Sequence, residues 1–250
     1  MVSGPDLSLM SGLPTLWPFM VIGSMLAIVA LAEIARPDRP AARRRWPVNF
    51  ALGLINTLLV RLASVAAPAG VALLAESADY GLLRQVELPL WAVIAIAIIL
   101  MDCAMYWQHR LFHATRWGWA LHRLHHADTG LDVSTAVRFH PAEAIVSMLY
   151  KSALTLLLGL PLVAVLAFEA WLAAGSIIEH GNVRLPARAD AVLRRFWITP
   201  AVHRVHHSAH GEDHNHNYGF AIGLWDRWFG TWRDAPSGPK IGLPQSGEDH

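Results

Sequence analysis

The chain has 250 residues, 54% of them apolar and 16% charged, with a net charge of +1. That apolar share is too high for an ordinary soluble domain and points to a membrane protein, and no global basic field argues for nucleic acid as a partner. A single cysteine, Cys103, excludes both a disulfide framework and a zinc–thiolate site, so any metal must be held by nitrogen or oxygen.

In chain order, the first apolar run, residues 17–35, is long enough to cross a hydrocarbon core of about 30 Å. It reads as a transmembrane helix and not a cleaved signal peptide, because neither a basic start nor an A-x-A-like site accompanies it. Arg36, Arg39, Arg43, Arg44 and Arg45 follow in a Pro-broken loop, which the positive-inside rule places in the cytoplasm and the N-terminus outside. Residues 48–74 are apolar but interrupted by Asn49, Asn56, Arg61 and Pro68; they read as one helix plus a short return. Residues 75–87 form an outside loop. From Leu88 the chain is apolar through Asp102 to Tyr106 and Trp107, an interface pair, with His109 and His113 one helical turn apart beyond it. After a polar stretch from Arg116 to Phe139, Pro141 opens a long apolar region, split by Gly159-Leu160-Pro161 into an antiparallel pair that ends at Glu179-His180. The remainder reads as a cytoplasmic cap, then a loose Pro/Gly/Ser tail. The expected fold is all-α: a polytopic membrane protein with about four transmembrane helices and a cytoplasmic helical cap, one domain over 1–234 and a flexible tail over 235–250.

Two identical clusters stand out, His122-Arg-Leu-His125-His126 and His203-Arg-Val-His206-His207. With 14 histidines in the chain, chance would give H-x-x-H-H about 0.04 times, so a duplicate is no accident. On a helix the outer two imidazoles of each triplet share a face and the middle one diverges. The spacing therefore predicts that His122 and His126 join His109 and His113 around one metal. His203 and His207 hold a second, and His125 and His206 lean across. Eight histidines exceed the roughly four to six positions of one ion, which calls for two; imidazole by itself does not choose among zinc, iron, copper and nickel.

Order and spacing of further residues carry a resemblance. Asp102-x-x-x-Tyr106-Trp107-x-His109-Arg110-x-x-His113, the first triplet, Arg138-Phe-His140-Pro141-x-Glu143, His180-Gly-Asn182, Thr199-Pro200 before the second triplet, Asn217-Tyr218-Gly219 and Leu224-Trp225-Asp226-Arg227-x-Phe229-Gly230-Thr231 resemble the fatty acid hydroxylase/sterol desaturase superfamily, over about residues 102–232. The resemblance implies an integral-membrane non-haem di-iron oxygenase with two iron ions, O2 as co-substrate and an external electron donor. It also implies that His180 is a further ligand. Relatives carry a longer histidine set there, whereas Ser176 and Arg184 flank His180 in this chain, leaving one position of the second metal unassigned.

The expected activity is hydroxylation, or desaturation, of a lipid, sterol-like or terpenoid substrate, with electrons from a separate reductase since no haem, flavin or nucleotide motif is visible. The rival reading is a non-catalytic metal-binding or transport protein, which would place ligands at the bilayer midplane. The site is expected on the cytoplasmic side of a bacterial inner membrane. Asp102, on the stripe of His109, is expected to orient an imidazole, or to pair with Arg110. His140 before Pro141 reads as a helix-boundary residue or an outer partner of the site, and His214 and Asn217 as outer partners. His210 and His216 read as solvated loop residues, Trp225, Trp228 and Trp232 as anchoring or packing residues, and terminal His250 as inert.

Overall fold

A computed structural model describes residues 17–40 and 43–243; His250 and the last part of the tail lie outside them. Apolar composition and proline placement account for the helices. Among the described residues, four are long and apolar enough to cross a membrane: α1 (Trp17–Ala35), α4 (Leu90–Ala114), α6 (Pro141–Leu158) and α7 (Leu162–His180). Between α1 and α4 lie α2 (Trp46–Leu62) and α3 (Pro68–Ser77). Proline occupies the first turn of α2, α3 and α6, where its missing N–H costs nothing. Among the described residues the only β-pairing is three isolated bridges.

All the spanning helices meet at one end, where the histidines lie. α1 and α4 both pack against α7, and α3 packs against α6. The segment expected as a return does not turn back. Asn56 of α2 donates to Phe139 O near the histidine end (3.0 Å), Ser152 in the middle of α6 donates to Ala66 O (2.7 Å), and Glu76 of α3 accepts the N–H of Leu162 at the far end (3.0 Å). Thus α2 and α3 form one broken passage. The break at 63–67 precedes Pro68, which cannot continue a helix's hydrogen bonding. At the far end Gly159 ends α6 with φ +67° and lies against Gly81, whose own φ is +123°; a Cβ on Gly81 would stand 2.2 Å from the Gly159 backbone.

At the histidine end, α1 is tied down by Glu33, which accepts the N–H groups of Val133 (2.8 Å) and Asn182 (2.7 Å). The cap consists of α5 (Arg116–His126), α8 (Ala187–Leu193), α9 (Pro200–His206) and α10 (Leu224–Trp228). Thr115 caps α5, its hydroxyl accepting from Gly118 N–H (3.3 Å). The post-α7 segment, expected wholly beyond the spans, partly runs beside them: Trp197 meets Trp171 of α7 and Trp225 bonds Asp102 of α4. The tail is not loose over its described part. Ser237 bonds Asp213, Ala209 N–H reaches Lys240 O (2.9 Å), and Gly242 N–H reaches His207 O (3.0 Å).

Candidate metal centre

The end of α4 supplies His109 and His113, α5 supplies His122, His125 and His126, the last residue of α7 is His180, and α9 with its C-cap supplies His203, His206 and His207. Eight of these nine are buried and His113 is half-buried. They fall into two groups, His109, His113, His122, His126 and His206 in one, His125, His180, His203 and His207 in the other; within each group one nitrogen per ring lies within 4.8 Å of all the others. Each triplet gives its middle histidine to the group built on the other triplet, since the middle ring projects away from the face its neighbours share. The groups adjoin: the His126 and His207 rings stack at 4.5 Å. His125 and His206 thus lean across as their spacing predicts, and His125 joins His180, His203 and His207.

The outer nitrogens fix the tautomers. His109 Nδ1 donates to Tyr218 O (2.7 Å), His122 Nδ1 to Glu143 Oε1 (2.7 Å), His125 Nδ1 to Arg138 O (3.2 Å), His180 Nδ1 to Ser176 O (2.7 Å) and His206 Nδ1 to His216 O (2.8 Å). A carbonyl only accepts, so the proton sits on Nδ1 and the lone pair on Nε2. Yet Nε2 of His109 faces Nε2 of His122 at 3.0 Å, and His180 Nε2 faces those of His125 and His203 at 3.0 and 3.1 Å. In the His109–His122 and His180–His125 pairs both lone pairs are aimed at one another and repel unless a cation lies between them, whereas the Nδ1 of His203 is buried with no hydrogen-bond partner to fix its tautomer. Burial and neighbouring imidazoles hold His125, His126, His203, His206 and His207 well below the ordinary imidazole pKa, so these rings are neutral and competent ligands. Further nitrogens, His113 Nε2, His126 Nε2, His206 Nε2 and His207 Nε2, are buried without a hydrogen-bond partner. The residues fit two metal ions.

Two carboxylates complete the surround, and sequence reasoning gave neither a role. Glu143, in the first turn of α6, orients His122; both side chains are 5% exposed or less. Glu179, fully buried, lies 3.6 Å from Nδ1 of both His180 and His203. The available signal was position: a carboxylate inside an apolar stretch, one turn from a helix start or next to a ligand.

The expectation for Asp102 is corrected, and the other outer residues find the following places. Asp102 orients no histidine and does not pair with Arg110; its oxygens accept the indole N–H groups of Trp171 (2.8 Å) and Trp225 (2.7 Å). Seven residues of helix put it about 10 Å from the level of His109, so a shared stripe does not bring them together. His140 caps α6, its Nδ1 accepting from Ala142 N–H (3.1 Å). Asn217, with φ +56°, bonds Val202 O (3.0 Å) and both backbone groups of Arg233, tying the last loop to α9. His214 stacks on Trp119 at 5.3 Å, with its ring 5.8 Å from that of His113. His216 contributes through its carbonyl. Asp226 anchors the loop carrying the His109 acceptor, taking the N–H groups of Tyr218 and Gly219 (2.8 Å each) and the Thr231 hydroxyl (2.7 Å); burial pushes its carboxyl up to about 6.

Residues 94–231 match the family model described as fatty acid hydroxylase. The chain is 28% identical over 253 residues to an ornithine lipid hydroxylase of Rhizobium tropici, covering 97% of this chain and 75% of that protein. It is 30% identical over 151 residues to an alkylglycerol monooxygenase of Danio rerio, covering 58% of this chain and 31% of the relative. It is also 29% identical over 147 residues to a Delta(7)-sterol 5(6)-desaturase of Saccharomyces cerevisiae, covering 58% and 38%. No solved structure gives a significant match.

Proposed function

Because the chain belongs to the fatty acid hydroxylase family, we propose that it is a membrane-bound non-haem di-iron oxygenase that hydroxylates, or desaturates, a lipid with O2 and electrons from a separate reductase. The observation that carries this reading is the two adjoining all-imidazole groups, in each of which a pair of unprotonated Nε2 atoms faces one another, His109 with His122 and His125 with His180. The nine imidazoles would hold two ions, and imidazole accepts several metals, so it is the family that favours iron among them. When bound, iron supplies the redox chemistry by which O2 is reduced and an unactivated C–H bond is broken.

The protein's own part is positioning. Tyr218 O, Glu143, Arg138 O, Ser176 O and His216 O hold five imidazoles in one tautomer, with Nε2 turned inward. Tyr106, Tyr218 and Trp225 pack into a buried cluster between α4 and the last loop and keep bulk water from that side. The groups sit at helix ends, not at a midplane, which favours an enzyme over a transporter. Similarity to the ornithine lipid hydroxylase runs through nearly the whole chain, which favours hydroxylation of a polar-headed membrane lipid over a sterol or terpenoid. Arg36, Arg39, Arg43, Arg44 and Arg45 lie beside the histidine end, which supports a cytoplasmic site in a bacterial inner membrane.

The test is lipid mass spectrometry of membranes with and without the chain, under air and under argon, with iron measured on the purified protein. The expected product is a lipid that gains one oxygen atom; loss of two hydrogens would make it a desaturase. Iron-loaded protein that consumes no O2 with a reductant and any extracted lipid would overturn the proposal.

A further inference from the structure

The segment that follows α7 folds back along the spanning helices instead of standing beyond them. Trp171 lies nine residues before His180, about 13 Å along α7 from the histidine level. Its ring nevertheless meets that of Trp197, just past α8, at 4.9 Å. Asp102 lies about 10 Å down α4 from His109, and it accepts the Trp225 indole of α10 at 2.7 Å. Arg227 of α10 donates to Arg194 O at the end of α8 (3.0 Å), so the two short helices form one collar at the depth of the spans.

The outer face of that collar is apolar and cationic together. Val192, Phe196 and Trp228 are 58%, 63% and 67% exposed. Arg188, Arg195 and Arg227 are exposed on the same segments, and among the described residues none makes an ion pair; Arg227 lies 3.6 Å over the Trp232 ring. A water-facing surface has no use for three large apolar side chains in one place, whereas a bilayer interface takes an apolar face, an aromatic ring and a ring of arginines at once.

We propose that the α8–α10 collar is seated in the boundary between headgroups and acyl chains of a leaflet carrying anionic lipid. Depth argues for this, because Asp102, which holds the collar's Trp225, adjoins Ile99 and Leu100 of α4, apolar side chains that are 48% and 45% exposed. Charge argues for the anionic component. A lipid lying against the collar would reach the metal groups sideways without leaving the leaflet; that consequence rests on the oxygenase reading, but the seating does not.

The test uses the full chain in nanodiscs of phosphatidylcholine and phosphatidylglycerol. In a Cys103→Ser background, spin labels at Phe196→Cys and Trp228→Cys are compared with Leu31→Cys on a span and Glu212→Cys in a polar loop, by accessibility to O2 and to a water-soluble nickel complex. The expected result is several-fold greater O2 than nickel accessibility at 196 and 228, as at 31. Accessibility like that at 212 would overturn the proposal, and so would exclusion of both probes, which would mean that a protein or a second copy covers the collar. Replacing Arg188 and Arg195 by Gln should raise nickel access at 196 in the anionic discs; no change would overturn the anionic part. Should the labelled variants not fold, hydroxyl-radical footprinting of the unaltered protein reads the same point: Phe196 and Trp228 should be oxidised in detergent and protected in nanodiscs. Equal oxidation in both would overturn the seating.

Discussion

Glu143 offers a direct handle on one of the two histidine groups. It bonds His122 Nδ1 at 2.7 Å, with the two side chains 2% and 5% exposed, and it touches no histidine of the four-membered group. The carboxylate fixes the ring's tautomer and raises the basicity of the inward nitrogen, and losing such an outer partner typically lowers metal affinity about 10–100-fold, or about 1.4–2.7 kcal/mol. Glu143→Gln keeps an acceptor and loses the charge, so it should sit at the lower end. Glu143→Ala leaves a buried Nδ1–H unsatisfied, so it should sit at the upper end. The assay is chelator competition on purified protein with metal counted per chain. Wild-type protein should release its ions over a narrow chelator range, whereas both variants should release one ion early and the other at the wild-type concentration. Equal weakening of both ions, or wild-type affinity in both variants, would refute the assignment of Glu143 to the five-histidine group.

Three further outcomes follow from the same geometry. His125→Ala leaves the four-membered group with three imidazoles, while His206→Ala leaves the other with four; metal analysis should therefore show His125→Ala falling to about one ion per chain and His206→Ala retaining more. Asp226 has a folded pKa of about 6 against 3.8 for the free side chain. The folded protein thus holds a proton that the unfolded chain releases between those values, and stability falls as pH rises from about 4 to 6, by at most about 3 kcal/mol. Asp226→Asn should lose that slope in thermal melts from pH 4 to 7; an unchanged slope would show that another group produces it. Asp102→Asn should lower the melting temperature, because it weakens two charge-assisted bonds to indoles worth about 1.5–3 kcal/mol each. It should leave metal affinity within a few-fold of wild type, and a large loss of metal with no loss of stability would restore the role the sequence suggested for it.

The spanning helices were legible because length and apolar composition determine them, and the histidine groups because H-x-x-H-H on a helix leaves few ways to place three imidazoles. Other features depend on partners remote in sequence. The direction of α3 is set by contacts of Glu76 with Leu162 and of Gly81 with Gly159, none of which has a local signature. Asp102 lies on the predicted stripe, but a stripe gives angle and not depth, and its two indoles arrive from residues 171 and 225. The acceptors Tyr218 O, Arg138 O, Ser176 O and His216 O are backbone groups, which every residue carries, so no residue type marks them in advance. His125 completes the second group from the first triplet, a crossing that periodicity suggests while leaving its destination open.

That crossing would make a bound metal part of the fold. Four inward nitrogens, on His113, His126, His206 and His207, are buried with no hydrogen-bond partner, and an unsatisfied buried polar group costs about 1–3 kcal/mol. The sum, roughly 4–12 kcal/mol, is comparable with the whole stability of a typical domain. Coordination would remove that cost, so binding energy would double as folding energy for α5 and α9, which share both groups. Stripping the metal should therefore speed amide exchange in Arg116–His126 and Pro200–His206 by orders of magnitude, and leave α3, which carries no histidine, unchanged. Equal protection of α5 and α9 with and without metal would mean that packing alone holds the cap, and that the facing nitrogens are relieved by small ring movements instead of by a cation.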